Sequence, residues 1–231
     1  MYKNLELRFS ALLFGFLVVW SVTAQAASTC YGAPSQGRLV GGVQLPSSGK
    51  NFTSYSYAAE LAGRTYVHST VKAVMLAAFK RLAKSHPQTV YKYAETGFEE
   101  GGLFKPHKTH RNGLSVDFMM PVLNAKGQSA HLPTHAFNRL GYDIEFDRKG
   151  RYEGYRIDFD ALSAHLVALH KAAKVLGVGL NRVIIAQEFK PVLFQASGGS
   201  YLQKHIRFSK RRSWVRHDEH YHVDFSDRKS T

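Results

Sequence analysis

The chain has 231 residues, with 31 lysines and arginines against 17 aspartates and glutamates, so its formal net charge is +14. Its single cysteine excludes an intramolecular disulfide framework and a cysteine-rich zinc finger, and a hydrophobic content of 44% is typical of a folded chain. The basic balance favours an anionic partner and leaves nucleic acid, an acidic membrane surface and a polyanionic cell wall open.

The N-terminal residues have the pattern of a secretory signal. Lys3 and Arg8 precede an apolar run over residues 11–22, and Ala24 and Ala26 form a small-residue cleavage site. The run is shorter than the roughly 18 apolar residues that a membrane-spanning helix needs. We therefore expect a signal peptide over residues 1–26, cleaved after its last residue, and no stable membrane insertion. Because an exported protein seldom meets nucleic acid, we expect no nucleic-acid partner.

The first half of the mature chain contains one clear helix and two predicted strands. Residues 27–51 are rich in Gly, Ser and Pro, which indicates an ordered but irregular lead-in. A helix is predicted to begin at Ser69 or Thr70, and strands are predicted over residues 89–98 and 114–122. The helix is recognised by an apolar stripe at helical spacing, which comprises Val71, Val74, Met75, Ala78, Phe79 and Leu82.

The second half begins with a long loop. Residues 124–156 are rich in Gly and charge, and only short elements are expected there. Asp158 or Asp160 can cap a second helix, on which His165 and His170 are expected at the surface. No repeat or linker interrupts the chain, so these elements predict one α+β domain. The remaining predicted elements are a strand over residues 180–186, a short helix over 187–196 and a terminal strand over 219–225.

Two short segments hold five of the twelve histidines. In the first, His110 and Asp117 are seven residues apart, with Gly113 between them where the backbone can turn tightly. The imidazole and the carboxylate can therefore converge on one point. In the second, the predicted strand places His220 and His222 on the same face, because side chains alternate along a strand.

These side chains are of the types that bind zinc. A catalytic zinc site takes three protein ligands and leaves one position for water. His110, Asp117 and one histidine of the His220/His222 pair satisfy that count, and the other histidine could act as a base or stabilise the developing oxyanion. Copper and nickel accept the same ligands. Each motif alone has a simpler interpretation, namely a solvated histidine pair and a turn-capping aspartate, but the two together favour a metal site.

Several neighbouring charged residues have two interpretations each. Asp218 and Asp224 could orient the ligand histidines or could be exposed or capping residues. The basic stretch over residues 204–216 could be a solvated hairpin or could bind carboxylates of a substrate. Glu99 and Glu100 could supply an acid near the first histidine segment.

Three sequence patterns occur in order along the chain and together resemble the penicillin-insensitive murein endopeptidases. That family belongs to a wider group of zinc peptidases, the LAS type, which includes lysostaphin-type enzymes and D-alanyl-D-alanine carboxypeptidases. The patterns are the lead-in from Pro34 to Pro46, the central run His107-x-x-His110-x-x-Gly113-x-x-x-Asp117 preceded by Gly101-Gly102, and Arg212-x-Trp214-x-x-His217-x-x-His220-x-His222.

The resemblance implies an activity and a set of site residues. The activity would be zinc-dependent hydrolysis of the D-alanyl to meso-diaminopimelyl bond in the cross-linked stem peptides of peptidoglycan, in the periplasm. It implies His110, Asp117 and His222 as the zinc ligands and His220 as the catalytic histidine. It also implies His107 and His217 as further active-site histidines. Without a serine nucleophile there is no acyl-enzyme, so β-lactams have nothing to acylate.

The implied fold is a small antiparallel sheet that carries the zinc site and is flanked by helices, in a single zinc-peptidase domain over residues 27–231. Familiar members of the family hold their loops with several disulfides, whereas this chain has Cys30 alone, expected as a free or intermolecular thiol. Two kinds of alternative remain open at this point. One is a D,D-carboxypeptidase or an amidase acting on the same polymer, and the other is a non-catalytic, zinc-containing wall-binding module. The sequence indicates no oligomeric state.

Overall fold

The structure is a computed structural model, and it describes residues 27–227. The predicted signal peptide, residues 1–26, lies outside the described residues. Within the described range, none of the helices is long and apolar enough to span a membrane.

The described residues form fourteen strands, most of them short. They are β1 (Thr29–Ala33), β2 (Gln36–Val40), β3 (Val43–Gln44), β4 (Ser48–Gly49), β5 (Phe52–Ser54), β6 (Tyr66–Val67), β7 (Tyr91–Tyr93), β8 (Ser115–Met119), β9 (Val122–Leu123), β10 (Ser129–Ala130), β11 (Arg151–Tyr152), β12 (Tyr155–Ile157), β13 (Val178–Ile184) and β14 (His220–Asp227).

Two long helices confirm the predictions made for them. All six residues of the apolar stripe on the first long helix are buried. The second begins after Asp158, whose carboxylate accepts a hydrogen bond from the backbone N–H of Ala161 at 3.0 Å. The α-helices in the described part of the chain are α1 (Tyr57–Leu61), α2 (Ser69–Ser85), α3 (Phe159–Val175), α4 (Lys190–Gln195) and α5 (Gly199–His205), with 3-10 segments at Ala136–Gly141 and Gln187–Phe189.

The fold is a mixture of helices and several sheets, and the expectation of one small antiparallel sheet needs correction. The largest sheet has six strands in the order β13-β14-β8-β7-β5-β4, and its β5–β7 pair is parallel. The chain between those two strands contains α1 and α2, and a helical crossover is what a parallel pair requires. Three smaller sheets accompany it: β1-β2, β3-β6 and β10-β9-β12-β11.

Two segments that the sequence presents as irregular contain ordered pairing. The lead-in includes an antiparallel hairpin in which Cys30 pairs with Leu39, and both side chains are buried. The long loop over residues 124–156 contains strands of the four-stranded sheet, as its expected short elements. Short strands of this kind carry little periodicity, and their pairing depends on contacts between distant parts of the chain.

Strand β14 lies between β13 and β8 and separates the hydrophobic core from the site. Its register with β8 places His222 opposite Asp117 and His220 opposite Met119. Tyr221 and Val223 are buried in the core, as their alternation with the histidines predicts.

His165 corrects a second expectation, because it is buried in the core and not at the surface. Its ring stacks between Phe79 and Tyr91, at centroid distances of 5.1 and 4.9 Å. Its Nδ1 is hydrogen-bonded to the hydroxyl of Tyr221, directly behind the histidines of β14. His165 therefore supports the strand from the core side.

Candidate metal centre

A cavity of about 740 Å³ opens on the face of the sheet opposite the core, where β8 and β14 lie side by side. Residues from the connecting segments complete its wall. The residues that line it and are used below are Glu95, His107, Asp117, Tyr142, Arg182, Arg212, Trp214, Arg216, His217, Glu219, His220 and His222.

Asp117 is the centre of the constellation. Four histidines surround its buried carboxylate: His222 Nδ1 lies 2.8 Å and His110 Nε2 lies 3.3 Å from Oδ1, and His107 Nδ1 and His220 Nε2 each lie 3.8 Å from Oδ2. Burial alone would raise the pKa of Asp117, but His110 and His220 hold that pKa well below its usual range. The site therefore provides an ionised carboxylate among imidazoles.

His110 presents an unused nitrogen to this carboxylate. Its Nδ1 is 3.1 Å from the carbonyl oxygen of Thr96, which makes Nδ1 the protonated nitrogen. Its Nε2 is buried and makes no hydrogen bond within the described residues. Burial lowers the pKa of His110, which favours the neutral ring that a metal ion requires.

In His222 the roles of the two ring nitrogens are exchanged. Its Nε2 lies 2.7 Å from Oδ1 of Asp224, and the same oxygen accepts a hydrogen bond from the hydroxyl of Ser115 at 2.7 Å. The other oxygen of Asp224, Oδ2, pairs with Arg182. Nδ1 is left facing Asp117. Without a metal ion, Asp224 and Asp117 raise the pKa of His222 to about 10 against the effect of burial. A metal ion would take the place of the proton on Nδ1.

This arrangement fits a metal ion. Histidines that bind metals usually donate their second N–H to a carboxylate or a carbonyl, as His110 and His222 can do here. Within the described residues, the side chains of His107, His110 and Asp117 also have ligand atoms that all lie within 4.8 Å of one another and could hold an ion. The set implied by the family resemblance has His222 as its third member in place of His107.

His220 and His217 form a second pair of imidazoles above the carboxylate. Nδ1 of His220 lies 2.6 Å from Oε1 of Glu219, and Nε2 is left facing Asp117. Burial would lower the pKa of His220, but Glu219 and Asp117 raise it. Burial, and then His220, lower the pKa of His217 to about 4, so that ring is neutral.

The structure brings together all six of the predicted site residues, and it adds two that sequence spacing does not identify. The hydroxyl of Tyr142 lies 3.2 Å from Oδ2 of Asp117, and Glu95 accepts a hydrogen bond from His107. Glu99 and Glu100 are exposed and do not line the cavity, so the acid near the first histidine segment is Glu95.

The basic stretch over residues 204–216 divides into two parts. Lys210 and Arg211 are exposed, whereas the residues that follow them form part of the cavity wall. Arg216 pairs with Glu188 and with Asp218, each at 2.9 Å. Asp218 therefore holds this loop and does not orient a ligand histidine, whereas Asp224 does contact one.

The comparison with protein families agrees with the resemblance seen in the sequence. The profile described as penicillin-insensitive murein endopeptidase matches residues 30–230, which include every residue discussed at this site. The comparison with curated proteins found no match.

Proposed function

Because the chain belongs to the penicillin-insensitive murein endopeptidase family, we propose that it is a zinc enzyme that cleaves the D-alanyl to meso-diaminopimelyl cross-link. As a member of the family it is a murein endopeptidase, a hydrolase that acts on peptidoglycan. We further propose that removal of the signal peptide leaves one zinc-peptidase domain, residues 27–231, in the periplasm.

The observation that carries the zinc proposal is the pairing of the two histidines flanking Asp117. The second nitrogen of each is engaged, His110 by Thr96 and His222 by Asp224, so that one nitrogen of each is directed at the same carboxylate. Two imidazoles and a carboxylate are a common set of ligands for catalytic zinc. In this proposal, His110, Asp117 and His222 hold the ion.

When bound, zinc would act as a Lewis acid and lower the pKa of a bound water toward roughly 7. His220 is placed to handle the proton, since Glu219 engages its Nδ1 and its Nε2 is directed at the cavity. It would move a proton to the leaving amine. His217 and His107 line the same cavity and would position the substrate.

The shape of the cavity favours cleavage within a cross-linked peptide. A neighbouring cavity of about 490 Å³ shares Arg212 and Arg216 with the main one, and another of about 250 Å³ shares Arg182. These two side cavities have no lining residue in common. A peptide could therefore extend from the metal centre in two directions, as an endopeptidase requires.

Digestion of defined muropeptides, analysed by mass spectrometry, tests the proposal. Zinc-loaded protein is expected to split cross-linked dimers into monomers with free D-alanine carboxylates. A carboxypeptidase would release only terminal D-alanine, an amidase would separate peptide from sugar, and a wall-binding module would give no product.

The His110→Ala variant is expected to lose zinc and cleavage together. The matched control is His131→Ala, which removes an exposed histidine outside the cavity and is expected to retain both. Cleavage that survives the loss of zinc in His110→Ala would contradict the assignment of the metal to catalysis.

A further inference from the structure

Glu95 is a buried carboxylate in the cavity wall to which the proposed reaction gives no role. It follows β7, and its backbone carbonyl accepts a hydrogen bond from the N–H of Asp117 at 2.9 Å. The N–H of Ala94 donates to the carbonyl of Asp117 at 2.8 Å. The side chain of Glu95 is thus held next to the metal centre by the backbone of the sheet.

Three donors converge on the Glu95 carboxylate. They are the hydroxyl of Tyr55 at 3.0 Å, Nε of Arg64 and Nε2 of His107. Arg64 also donates to the carbonyl oxygen of Lys105 at 2.9 Å. The loop that carries His107 is therefore tied to Glu95 twice, once through its imidazole and once through its backbone.

The bond to Glu95 decides which nitrogen of His107 faces the cavity. A neutral imidazole has one N–H, and an ionised carboxylate only accepts hydrogen bonds. With the proton on Nε2 and directed at Glu95, the lone pair of Nδ1 lies 3.8 Å from Oδ2 of Asp117. We propose that Glu95 is a positioning residue, which fixes His107 as the Nε2–H tautomer with Nδ1 turned toward the metal centre. The catalytic part of this inference rests on the proposed function, whereas the tautomer does not.

Glu95 itself is not a proton donor in the reaction. Burial would raise its pKa, but the hydrogen bonds from His107 and Arg64 lower that pKa to about 2. The carboxylate is therefore ionised at neutral pH, and three donors occupy it. It acts on the site through the ring that it holds.

Nitrogen-15 NMR of the histidine rings tests the tautomer directly, in metal-free and in zinc-loaded protein, with His107→Gln used to assign the signal. At a pH at which the ring is neutral, the wild-type protein is expected to show His107 protonated at Nε2 only. A neutral ring that carries its proton on Nδ1, wholly or in part, would overturn the proposal, whatever the variants do.

The Glu95→Gln variant is expected to give a mixture of His107 tautomers, because its amide has one acceptor oxygen for three donors and adds an N–H₂ group. The matched control is Glu99→Gln, an exposed acid on the same segment, whose spectrum should equal that of the wild type. A His107 signal unchanged by Glu95→Gln would show that the carboxylate does not select the tautomer.

Kinetics separate positioning from a general loss of structure. Glu95→Gln is expected to reduce kcat by about 10- to 100-fold with little change in KM, as loss of a partner to a site histidine typically does. In a His107→Ala background, Glu95→Gln should cause no further loss, because its effect passes through the missing ring. Additive losses would overturn the proposal. A wild-type protein that cleaves no cross-linked muropeptide would contradict the proposed function, and the NMR result would still decide the role of Glu95.

Discussion

Acidification is expected to destabilise the protein through one histidine that lies far from solvent. His165 is stacked between Phe79 and Tyr91 and hydrogen-bonded to Tyr221. Its Nε2 has no hydrogen-bond partner among the described residues, so a second proton there would be buried without an acceptor. Burial lowers the pKa of His165 to about 3.

The sign and size of the effect follow from linkage between protonation and folding. A histidine in an unfolded chain has a pKa of about 6.5. Below that pH, the unfolded chain therefore binds a proton at His165 that the folded chain does not bind. The free energy of unfolding therefore falls as the pH drops from about 6.5 toward 3. Full protonation would cost on the order of 5 kcal/mol, of which about 2 kcal/mol is lost between roughly pH 7 and 5.

Urea denaturation of metal-free protein at these two pH values measures the effect. His165→Asn can keep a hydrogen bond to Tyr221 but cannot titrate. We expect this variant to be less stable than the wild type at the higher pH, with the gap narrowing by about 2 kcal/mol at the lower one. Other titrating groups act in both proteins and cancel in the comparison.

Ala168→Gly is the matched control on the same helix. Its buried side chain does not titrate, and the substitution should lower stability by about 1 kcal/mol at both pH values. If the gap between wild type and His165→Asn were equally independent of pH, the reasoning from burial of the imidazole would be refuted.

Two further substitutions test the metal centre and the turn before β8. Asp224→Asn removes the anion that engages Nε2 of His222, so zinc affinity measured by chelator competition should fall by about 10- to 100-fold. The control is Asp143→Asn, at an exposed aspartate. Equal zinc affinities in the two variants would contradict the role of Asp224. Gly113→Ala should lower the free energy of unfolding by about 2–4 kcal/mol, because φ of Gly113 is +76° and the new Cβ would lie 2.7 Å from the backbone nitrogen of His68. A midpoint of urea denaturation equal to that of the wild type would rule out this strain.

The elements predicted best from the sequence are those whose burial pattern is local. The stripe on α2 and the alternation along β14 both repeat at the period of a single element, so each pattern identifies the buried face of that element. His165 carried the same signal, because it lies three residues after Leu162 and next to Leu166, within the buried face of α3. The expectation that it is exposed gave the polarity of the side chain more weight than its position.

The histidines of the site could be predicted because they recur at short spacings, whereas their partners could not. Glu95 reaches the cavity through its pairing with Asp117, and Tyr142 reaches it from a 3-10 turn in a segment without periodicity. Asp224 could be proposed as a partner only because it shares a face of β14 with His222. The contacts of Glu95 and Tyr142 with the site are set by sheet register and loop packing, which no local sequence pattern encodes.

The backbone at two site histidines shows why spacing alone does not build the centre. His110 and His217 have φ of +68° and +59°, a region that costs a residue with a side chain roughly 1–2 kcal/mol. Contacts formed only in the folded chain hold both. The carbonyl of His217 accepts a hydrogen bond from the N–H of Ala186 at 2.8 Å, and Nδ1 of His110 lies 3.1 Å from the carbonyl oxygen of Thr96. A glycine would fit either position with less strain but would provide no imidazole. Conformational stability is thus given up at these two positions to place both imidazoles in the site, and the rest of the fold must offset that cost.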